Sequence, residues 1–373
     1  MLLALGFGYF GFELYSSARD TAEARNNANE FVDSFEDNMV LEDVLGSPEP
    51  PASIPYSNDS PVAPRTSSPQ SSIAPSSTGL TTTSLPSIDP QEIAVVFINR
   101  VPGEDYGKVG YLDSSGDRKL ADLDCSRIDA NQYGGICLSA TAGLGGSGRG
   151  YLLDASLRPG LRFGVNRPSR AAISPEGTVV AWTGFSLGHS YLNAGEFATT
   201  TQLISVDRFV GVNLESDFRT FGFDGIEIQD FERNYWGVTF VDESHFYATL
   251  GLGERTMIVE GRVSNSRIDV IVDNATCPEV SPDGTTIVAK ERRGDFFQLI
   301  AIDVETGQRR DLPEPRSVED QIEWVNDETI VYAFPNDEEG TSAQPAFDVY
   351  ALDIAAGSEP RLFIPFADSP AVP

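Results

Sequence analysis

The sequence predicts an all-β protein: a six-bladed β-propeller of four-stranded blades, preceded by an N-terminal membrane-anchor helix and a disordered stalk. Two observations predict the propeller. Short segments of alternating apolar and polar residues, separated by turn residues, follow Glu92. Among them a unit of roughly 40 to 50 residues recurs, which is the length of a four-stranded blade. The anchor and stalk are predicted by an apolar N-terminal run and a Ser/Thr/Pro-rich segment after it.

The apolar run at residues 2–15 is interrupted only by Glu13. It is shorter than the roughly 20 residues that span a bilayer. It lacks the basic segment of a signal peptide, and no convincing cleavage site follows it. We therefore expect residues 1–15 to be an apolar membrane anchor, or part of a signal anchor, that is retained. The alternative is a core helix of a cytoplasmic protein, which does not explain the stalk.

Two segments separate the anchor from the propeller. Residues 16–45 are helix formers with many acidic side chains, typical of a solvated helix leaving a membrane. Residues 46–91 are rich in Ser, Thr and Pro and too poor in apolar residues to offset the entropy of ordering. We expect this second segment to be a disordered stalk.

The repeat is clearest at Cys277–Pro313. Its first turn, Ser281-Pro282-Asp283-Gly284, places proline where φ is preset and glycine where φ is positive. Strands are predicted on either side, the second at Thr286–Lys290 and the third at Phe297–Asp303. Weaker copies of the same frame begin near Ile93, Ser126, Ser174, Trp236 and Ile322.

The six copies place the propeller at residues 92–373, and they leave the first blade one strand short. Only stalk sequence precedes Ile93, whereas the last blade is complete at Ile364 and the chain continues. We expect Ser369–Val372 to supply the missing inner strand. Such closure pairs the two ends of the ring and removes exposed strand edges.

The segment SPDGTTIVAKERRGDFFQLIAIDVETG, residues 281–307, resembles the TolB-like, WD40-like propeller repeat, and residues 174–182 are similar in a divergent form. The resemblance covers residues 92–373 and is closest to actinobacterial exported TolB-like translocation proteins. It implies a propeller outside the cytoplasm, but a fold does not specify a function. TolB has an additional N-terminal α/β domain, where this chain has the stalk. Propeller-containing prolyl peptidases carry an α/β-hydrolase domain with a G-x-S-x-G elbow, and we expect no such domain here.

Composition limits the partners and the cofactors. The chain has 56 acidic and 26 basic residues, a net charge of -30, which repels nucleic acid and anionic lipid. Two histidines and three cysteines give no spacing of a metal site, so we predict neither a metal nor a cofactor. Cys125 and Cys137 flank a predicted hairpin and are the expected disulfide, which leaves Cys277 as a thiol. Three unpaired core cysteines are the alternative.

The residues expected to bind a partner lie on one face of the propeller. If the strands of each blade are lettered a to d from the inside, the b–c and d–a connections share a face. Tight turns such as SPDG fall on the opposite face. Arginines and aromatics are frequent in recognition surfaces. The candidates on the b–c and d–a face are Arg170, His189, Tyr191, Tyr235, Trp236, Arg255, Arg292, Arg293, Asp320 and Gln321. Ordinary loop residues that cap the channel are the alternative interpretation.

No catalytic residue is predicted. The glycine-rich stretch Gly143–Gly150 opens onto a strand and lacks the Lys-Ser/Thr of a phosphate loop. His189 and His245 have no nucleophile or carboxylate tied to them by a motif, and His245 is expected at a solvated turn. The sequence therefore favours a non-catalytic binding or scaffold module on the outer side of the cytoplasmic membrane, with an envelope protein or glycan as partner. The alternative is an exported hydrolase or lyase with its active site at the channel mouth.

Overall fold

The computed structural model describes residues 93–140, 147–185, 198–229 and 233–373. The predicted anchor (1–15), acidic helix (16–45) and stalk (46–91) lie outside these residues. No helix within the described ranges combines the length and apolar character that a membrane span requires.

The described residues are almost entirely β-strands. The first three blades contain β1 (Ile93–Asn99), β2 (Lys108–Asp113), β3 (Arg118–Asp124), β4 (Arg127–Asn131), β5 (Gly134–Ala140), β6 (Ser147–Asp154), β7 (Pro159–Asn166), β8 (Pro168–Ile173), β9 (Val179–Phe185), β10 (Thr199–Ser205) and β11 (Gly211–Asn213). Helix α1 (Leu214–Asp217) and β12 (Arg219–Phe221) follow. The remaining elements are β13 (Asn234–Phe240), β14 (His245–Leu252), β15 (Arg255–Arg262), a 3-10 turn (Val263–Asn265), β16 (Arg267–Asp273), β17 (Thr276–Val280), β18 (Thr286–Arg293), β19 (Phe296–Asp303), β20 (Arg309–Asp311), β21 (Ile322–Asn326), β22 (Thr329–Gly340), β23 (Pro345–Asp353), β24 (Arg361–Ile364) and β25 (Ala367–Ala371).

These strands form six sheets, which are the six blades of a propeller. From the inside outward, blade 1 is β25-β1-β2-β3, blade 2 is β4 to β7 and blade 3 is β8 to β11. Blade 4 is β13 to β16 with β12 outside it, blade 5 is β17 to β20 and blade 6 is β21 to β24. The innermost strands β25, β4, β8, β13, β17 and β21 contact one another in ring order. The prediction of an all-β, six-bladed propeller with four-stranded blades is confirmed.

The ring is closed by the C-terminal strand. β25 pairs antiparallel with β1, with Ala371 opposite Val96 and Ala367 opposite Asn99. The closing strand was predicted at 369–372 and is found at 367–371, so it begins earlier. The ladder is irregular in between, and Ser369 has a φ of 48°. A bulge of this kind interrupts the alternation on which strand bounds are predicted.

The core consists of six apolar clusters, one between each pair of neighbouring blades. Between blades 3 and 4, for example, Leu203 packs with Tyr235 and Phe246. Both faces of each blade therefore pack against a neighbouring blade. This explains why second strands such as β9, with the sequence VVAWTGF, are buried along almost their whole length and mostly apolar.

Blade 4 departs from the regular four-stranded pattern. β12 pairs parallel to β16 and forms a fifth, outer strand that the repeat did not predict. The connection that carries it also contains Glu215, which accepts hydrogen bonds from the Thr201 amide (2.9 Å) and the Thr199 hydroxyl (3.0 Å). Because β11 covers only part of β10, this carboxyl satisfies a backbone amide that a longer strand would have paired.

The cysteines are arranged in the predicted way. Cys125 precedes β4 and is bonded to Cys137 in β5, with their Cα atoms 5.7 Å apart. Cys277 in β17 is a free thiol. The bridge ties the start of blade 2 to the second strand of the same blade.

Candidate functional site

The two faces of the propeller differ in the length of their connections. The a–b and c–d connections are short, and they range from residues 132–133 to residues 354–360. The b–c and d–a connections include 100–107, 186–198 and 312–321, and β22 and β23 extend beyond their blade as a hairpin. We call this second side the loop-rich face. The connection 214–233 also starts on this side, but β12 carries it along the outer edge of blade 4.

Three of the predicted binding residues are exposed at b–c turns of this face. Arg255 pairs with Asp273 at 3.2 Å, and Arg293 pairs with Glu291 and Asp311 at 2.6 and 2.7 Å. Arg292 donates from Nε to the Gly294 carbonyl of its own turn at 3.0 Å. The described residues thus leave the outer nitrogens of the Arg292 guanidinium available to a partner.

Two predicted binding residues prove to be core residues. Tyr235 is fully buried, and its hydroxyl lies 2.5 Å from the Thr220 hydroxyl. Trp236 is 6% exposed, and its indole Nε1 donates to the Thr276 hydroxyl at 3.0 Å. The prediction that they belong to the binding face is wrong. The 214–233 connection covers Tyr235, and Gly251 leaves room for the Trp236 ring. His189 and Tyr191 lie outside the described residues.

The other three predicted residues lie in the channel mouth, where they join opposite sides of the ring. Gln321 of blade 6 donates from Nε2 to the Ala171 carbonyl of blade 3 at 2.7 Å, and its Oε1 accepts from the Ala171 amide at 3.5 Å. Arg170 of blade 3 donates to the Glu319 carbonyl at 3.3 Å. Asp320 is also largely buried. These side chains cross the channel and do not form an open binding face.

Asp320 lies in a charge network that the sequence pattern did not indicate. The Asp320 carboxylate pairs with Arg127 at 3.3 Å and accepts from the Ser369 amide, also at 3.3 Å. Arg100 pairs with Asp368 at 2.9 Å, and both side chains are almost completely buried. The network thereby connects blades 1 and 2 to the 312–321 connection. Asp368 was missed because it precedes the predicted closing strand.

Lys290 and Cys277 form the other unpredicted pair in the channel mouth. Lys290 is 2% exposed, and its Nζ donates to the Asp320 carbonyl. Burial lowers the pKa of Lys290 to about 8, and the neighbouring Arg170 acts in the same direction. Burial acts to raise the pKa of Cys277, but Lys290 and Arg170 outweigh it and leave that pKa below the usual value. Lys290 was detectable in principle, because it continues the apolar run Ile287-Val288-Ala289.

Three further carboxyl groups, Asp129, Glu279 and Glu323, lie on the inner strands of blades 2, 5 and 6; Asp129 is buried, and Glu279 and Glu323 are partly buried. Burial raises the pKa of Asp129 to about 6. Burial and mutual repulsion raise the pKa values of Glu279 and Glu323 well above the usual range. Within the described ranges, no group of His, Cys, Asp and Glu side chains has the arrangement of a metal site.

His245, the glycine-rich stretch 143–150 and residues 184–188 are three further candidates for catalytic or binding motifs. His245 opens β14 and its Nε2 lies 2.8 Å from Glu260 Oε1, so it is not the solvated turn residue expected. The end of the 143–150 stretch forms β6, and residues 141–146 are outside the described part. The sequence Gly184-Phe185-Ser186-Leu187-Gly188 has the G-x-S-x-G spacing of a nucleophile elbow, which sequence analysis did not single out. It begins in a propeller strand, β9, and Ser186 is not described.

Comparisons with known proteins extend to the fold alone. No protein-family model matches the chain, and no curated protein matches it in sequence. The structure is similar to TolB from Acinetobacter baumannii at 16% identity and a TM-score of 0.50, over 75% of this chain and 65% of that one. The chain therefore spans less than two thirds of that TolB.

Two other solved structures are similar at lower TM-scores. One is assigned as TolB, from Agrobacterium tumefaciens, with 11% identity and a TM-score of 0.44 over 74% of this chain and 90% of that one. The other is oligogalacturonate lyase from Vibrio parahaemolyticus, with 10% identity and a TM-score of 0.45 over 73% and 77%. The similarity to the Acinetobacter protein, together with the six sheets, shows that this chain has a TolB-like six-bladed β-propeller fold.

Proposed function

We propose that the protein is a non-catalytic binding or scaffold module, displayed on the outer side of the cytoplasmic membrane. It recognises an envelope protein or glycan through the loop-rich face. The observation that carries this proposal is the difference between the two faces. The longest connections, 100–107, 186–198, 214–233 and 312–321, all start on one side, among shorter turns, whereas within the described residues no connection on the other side is longer than 354–360. Closure of the ring does not require this difference.

The chemistry of recognition centres on the b–c turn of blade 5. Arg292 and Arg293 are exposed there, and the Arg292 guanidinium retains donors for a partner. A guanidinium binds carboxylates in two parallel hydrogen bonds, so acidic side chains and acidic sugars are suitable ligands. The strongly negative chain otherwise repels such groups, and Arg292, whose hydrogen bond is to a carbonyl and not to a carboxylate, provides a local exception.

The proposed location rests on the N-terminal sequence and on the disulfide. The apolar run at 2–15 and the Ser/Thr/Pro-rich segment at 46–91 fit an anchor and a stalk that hold the propeller away from the membrane. The Cys125–Cys137 bridge fits an oxidising compartment. Resemblance to actinobacterial exported proteins is in agreement.

The test is recovery of partners from envelope extracts with the full chain. The variant Arg292→Ser/Arg293→Ser should recover clearly less partner than the wild type at an unchanged melting temperature. Its matched control is Arg158→Ser/Arg208→Ser, which removes the same charge from exposed c–d turns on the opposite face. If Arg292→Ser/Arg293→Ser recovers as much partner as the wild type and Arg158→Ser/Arg208→Ser does not, the binding surface is the face of the a–b and c–d turns. Digesting the extract with protease or with glycosidases distinguishes a protein partner from a glycan.

The alternative, an exported hydrolase or lyase, is favoured by one feature. The G-x-S-x-G spacing around Ser186 is followed by His189, which pairs the residue types of a nucleophile and a general base. A fluorophosphonate probe that labels the wild-type chain and not Ser186→Ala would support this alternative. Failure to label either protein leaves the binding function as the better account.

A further inference from the structure

The region around Cys277 contains chemistry that a binding face does not require. Cys277 lies in β17, the inner strand of blade 5, and its side chain is partly exposed. The pairing of β17 with β18 is irregular here, and Cys277 has a φ of 50°. Gly237 and Ser369 have similar φ values on the inner strands of blades 4 and 1. A bulge redirects a side chain out of the regular strand pattern, and here the redirected side chain is a thiol.

Two cations act on this sulfur. Arg170 reaches it from blade 3 as a hydrogen-bond donor, and Lys290 lies on the adjacent strand, where its residue pairs with Thr276. The Thr276 hydroxyl also donates to Cys277 Sγ at 3.6 Å. Nearby cations and donors stabilise the thiolate, which is the reactive form of cysteine. Carboxylate charge approaches from the 312–321 connection, where Glu319 and Asp320 act on Lys290 and not directly on the sulfur.

The ammonium of Lys290 is incompletely satisfied. Although it is almost fully buried, only one of its three N–H donors has an acceptor among the described residues, the Asp320 carbonyl. A buried ammonium with unused donors is costly, so an acceptor is expected to enter beside it. No hydrogen bond among the described residues joins the Lys290 ammonium to Cys277 Sγ, so the two remaining Lys290 donors are open to an oxygen-bearing ligand beside the sulfur.

We propose that Cys277 is a site of oxidation by hydroperoxides, with Lys290 and Arg170 as positioning residues. The thiolate attacks one peroxide oxygen, so that an S–O bond forms and the O–O bond breaks. Sulfur is oxidised to a sulfenic acid and the peroxide is reduced. The departing hydroxide or alkoxide takes a proton from solvent to give water or an alcohol, while the Lys290 and Arg170 charges hold the thiolate and the peroxide in place. The other two cysteines are already paired, so the sulfenic acid persists until an external thiol reduces it.

The reaction is measured on the full-length protein with hydrogen peroxide and a dimedone trap, followed by peptide mass spectrometry. At pH 7 we expect Cys277 in the folded chain to be trapped roughly tenfold faster than in the same chain unfolded in urea. A pH profile of iodoacetamide alkylation should have its midpoint below that of the unfolded chain. Cys277→Ser should remove the trapped product.

Variants separate the role of Lys290 from a general effect of the fold. Lys290→Met should lower the trapping rate about fivefold and raise the alkylation midpoint, whereas Lys290→Arg should retain most of the rate. The control is Lys119→Met, which removes an exposed lysine in the outer strand of blade 1 and should change neither value. If Lys290→Met does not fold, the wild-type measurements alone decide. Trapping no faster in the folded than in the unfolded chain overturns the proposal, as does a folded Lys290→Met with unchanged reactivity.

Discussion

The side-chain amide of Gln321 in blade 6 hydrogen-bonds both the carbonyl and the amide of Ala171 in blade 3. Blades 3 and 6 are opposite each other in the ring, so one side chain spans the channel. Gln321 is 9% exposed and Ala171 is 2% exposed, which removes water as an alternative partner for these groups. Hydrogen bonds across the channel therefore connect opposite blades of this propeller.

Replacing Gln321 by Ala should destabilise the propeller by about 1–3 kcal/mol, because the Ala171 carbonyl then remains buried without a donor. The measurement is equilibrium unfolding in urea. Gln308→Ala is the control, since Gln308 is exposed at the end of blade 5, and its change should stay within about 0.5 kcal/mol. Equal stability of Gln321→Ala and the wild type would mean that the contact across the channel contributes nothing.

The architecture could be predicted because it depends on local rules. Turns such as Ser281–Gly284 fix where a strand ends, and the repeat length then fixes the number of strands in a blade. The closing strand could be predicted because the first blade has only three strands before the second blade begins. The extra strand β12 could not be found this way, because it belongs to an insertion that the repeat does not contain.

The site was harder to predict because sequence position does not give burial. Tyr235 and Trp236 follow a d–a connection, as an exposed rim residue would, yet a neighbouring connection and a glycine bury their rings. Lys290, Arg292 and Arg293 occur in one charged run, but only Lys290 is buried. What distinguishes it is the Asp320 carbonyl, which arrives from a segment 30 residues away in sequence.

Loss of the Asp368 charge should weaken closure of the ring. Asp368→Asn leaves the buried Arg100 guanidinium without its anion, and breaking a buried pair in this way costs about 3–5 kcal/mol. Asp353→Asn is the matched control, because its pair with Arg361 at 3.2 Å is exposed and should be worth less than about 1 kcal/mol.

Deleting residues 368–373 removes most of β25 and should lower the melting temperature far more than Asp368→Asn does. A truncated chain that melts at the wild-type temperature would show that β25 does not hold the ring closed.

Stability should fall as pH rises from about 4 to above 6. Burial raises the folded-state pKa of Asp129 to about 6, and raises those of Glu279 and Glu323 well above their unfolded values. The folded chain therefore keeps protons that the unfolded chain has released in this range. The contribution of these three groups to the free energy of unfolding is fully present below their pKa values in the unfolded chain. It is lost as the pH rises through their pKa values in the folded chain. The check is urea unfolding across this pH range, and a flat or rising profile would contradict it.

Glu279→Gln should reduce that loss by roughly 1–3 kcal/mol, because the amide cannot ionise and still accepts the 2.8 Å hydrogen bond from the Thr239 hydroxyl. Glu305→Gln is the control: Glu305 is exposed at a turn of blade 5, and its variant should follow the wild-type profile. If Glu279→Gln and Glu305→Gln have the same slope as the wild type, the inner-strand carboxyl groups are not responsible for the pH dependence.

Removing the Cys125–Cys137 disulfide should destabilise the chain by about 2–4 kcal/mol, because the bridge closes a loop of 12 residues that the unfolded chain could otherwise explore. The variant Cys125→Ser/Cys137→Ser should melt at a lower temperature than the wild type, and a reducing agent should lower the melting temperature of the wild type but not that of this variant. Cys277→Ser should keep its sensitivity to the reducing agent, since Cys277 is outside the bridge. Loss of that sensitivity in Cys277→Ser would mean that Cys277, and not this hairpin pair, forms the bridge.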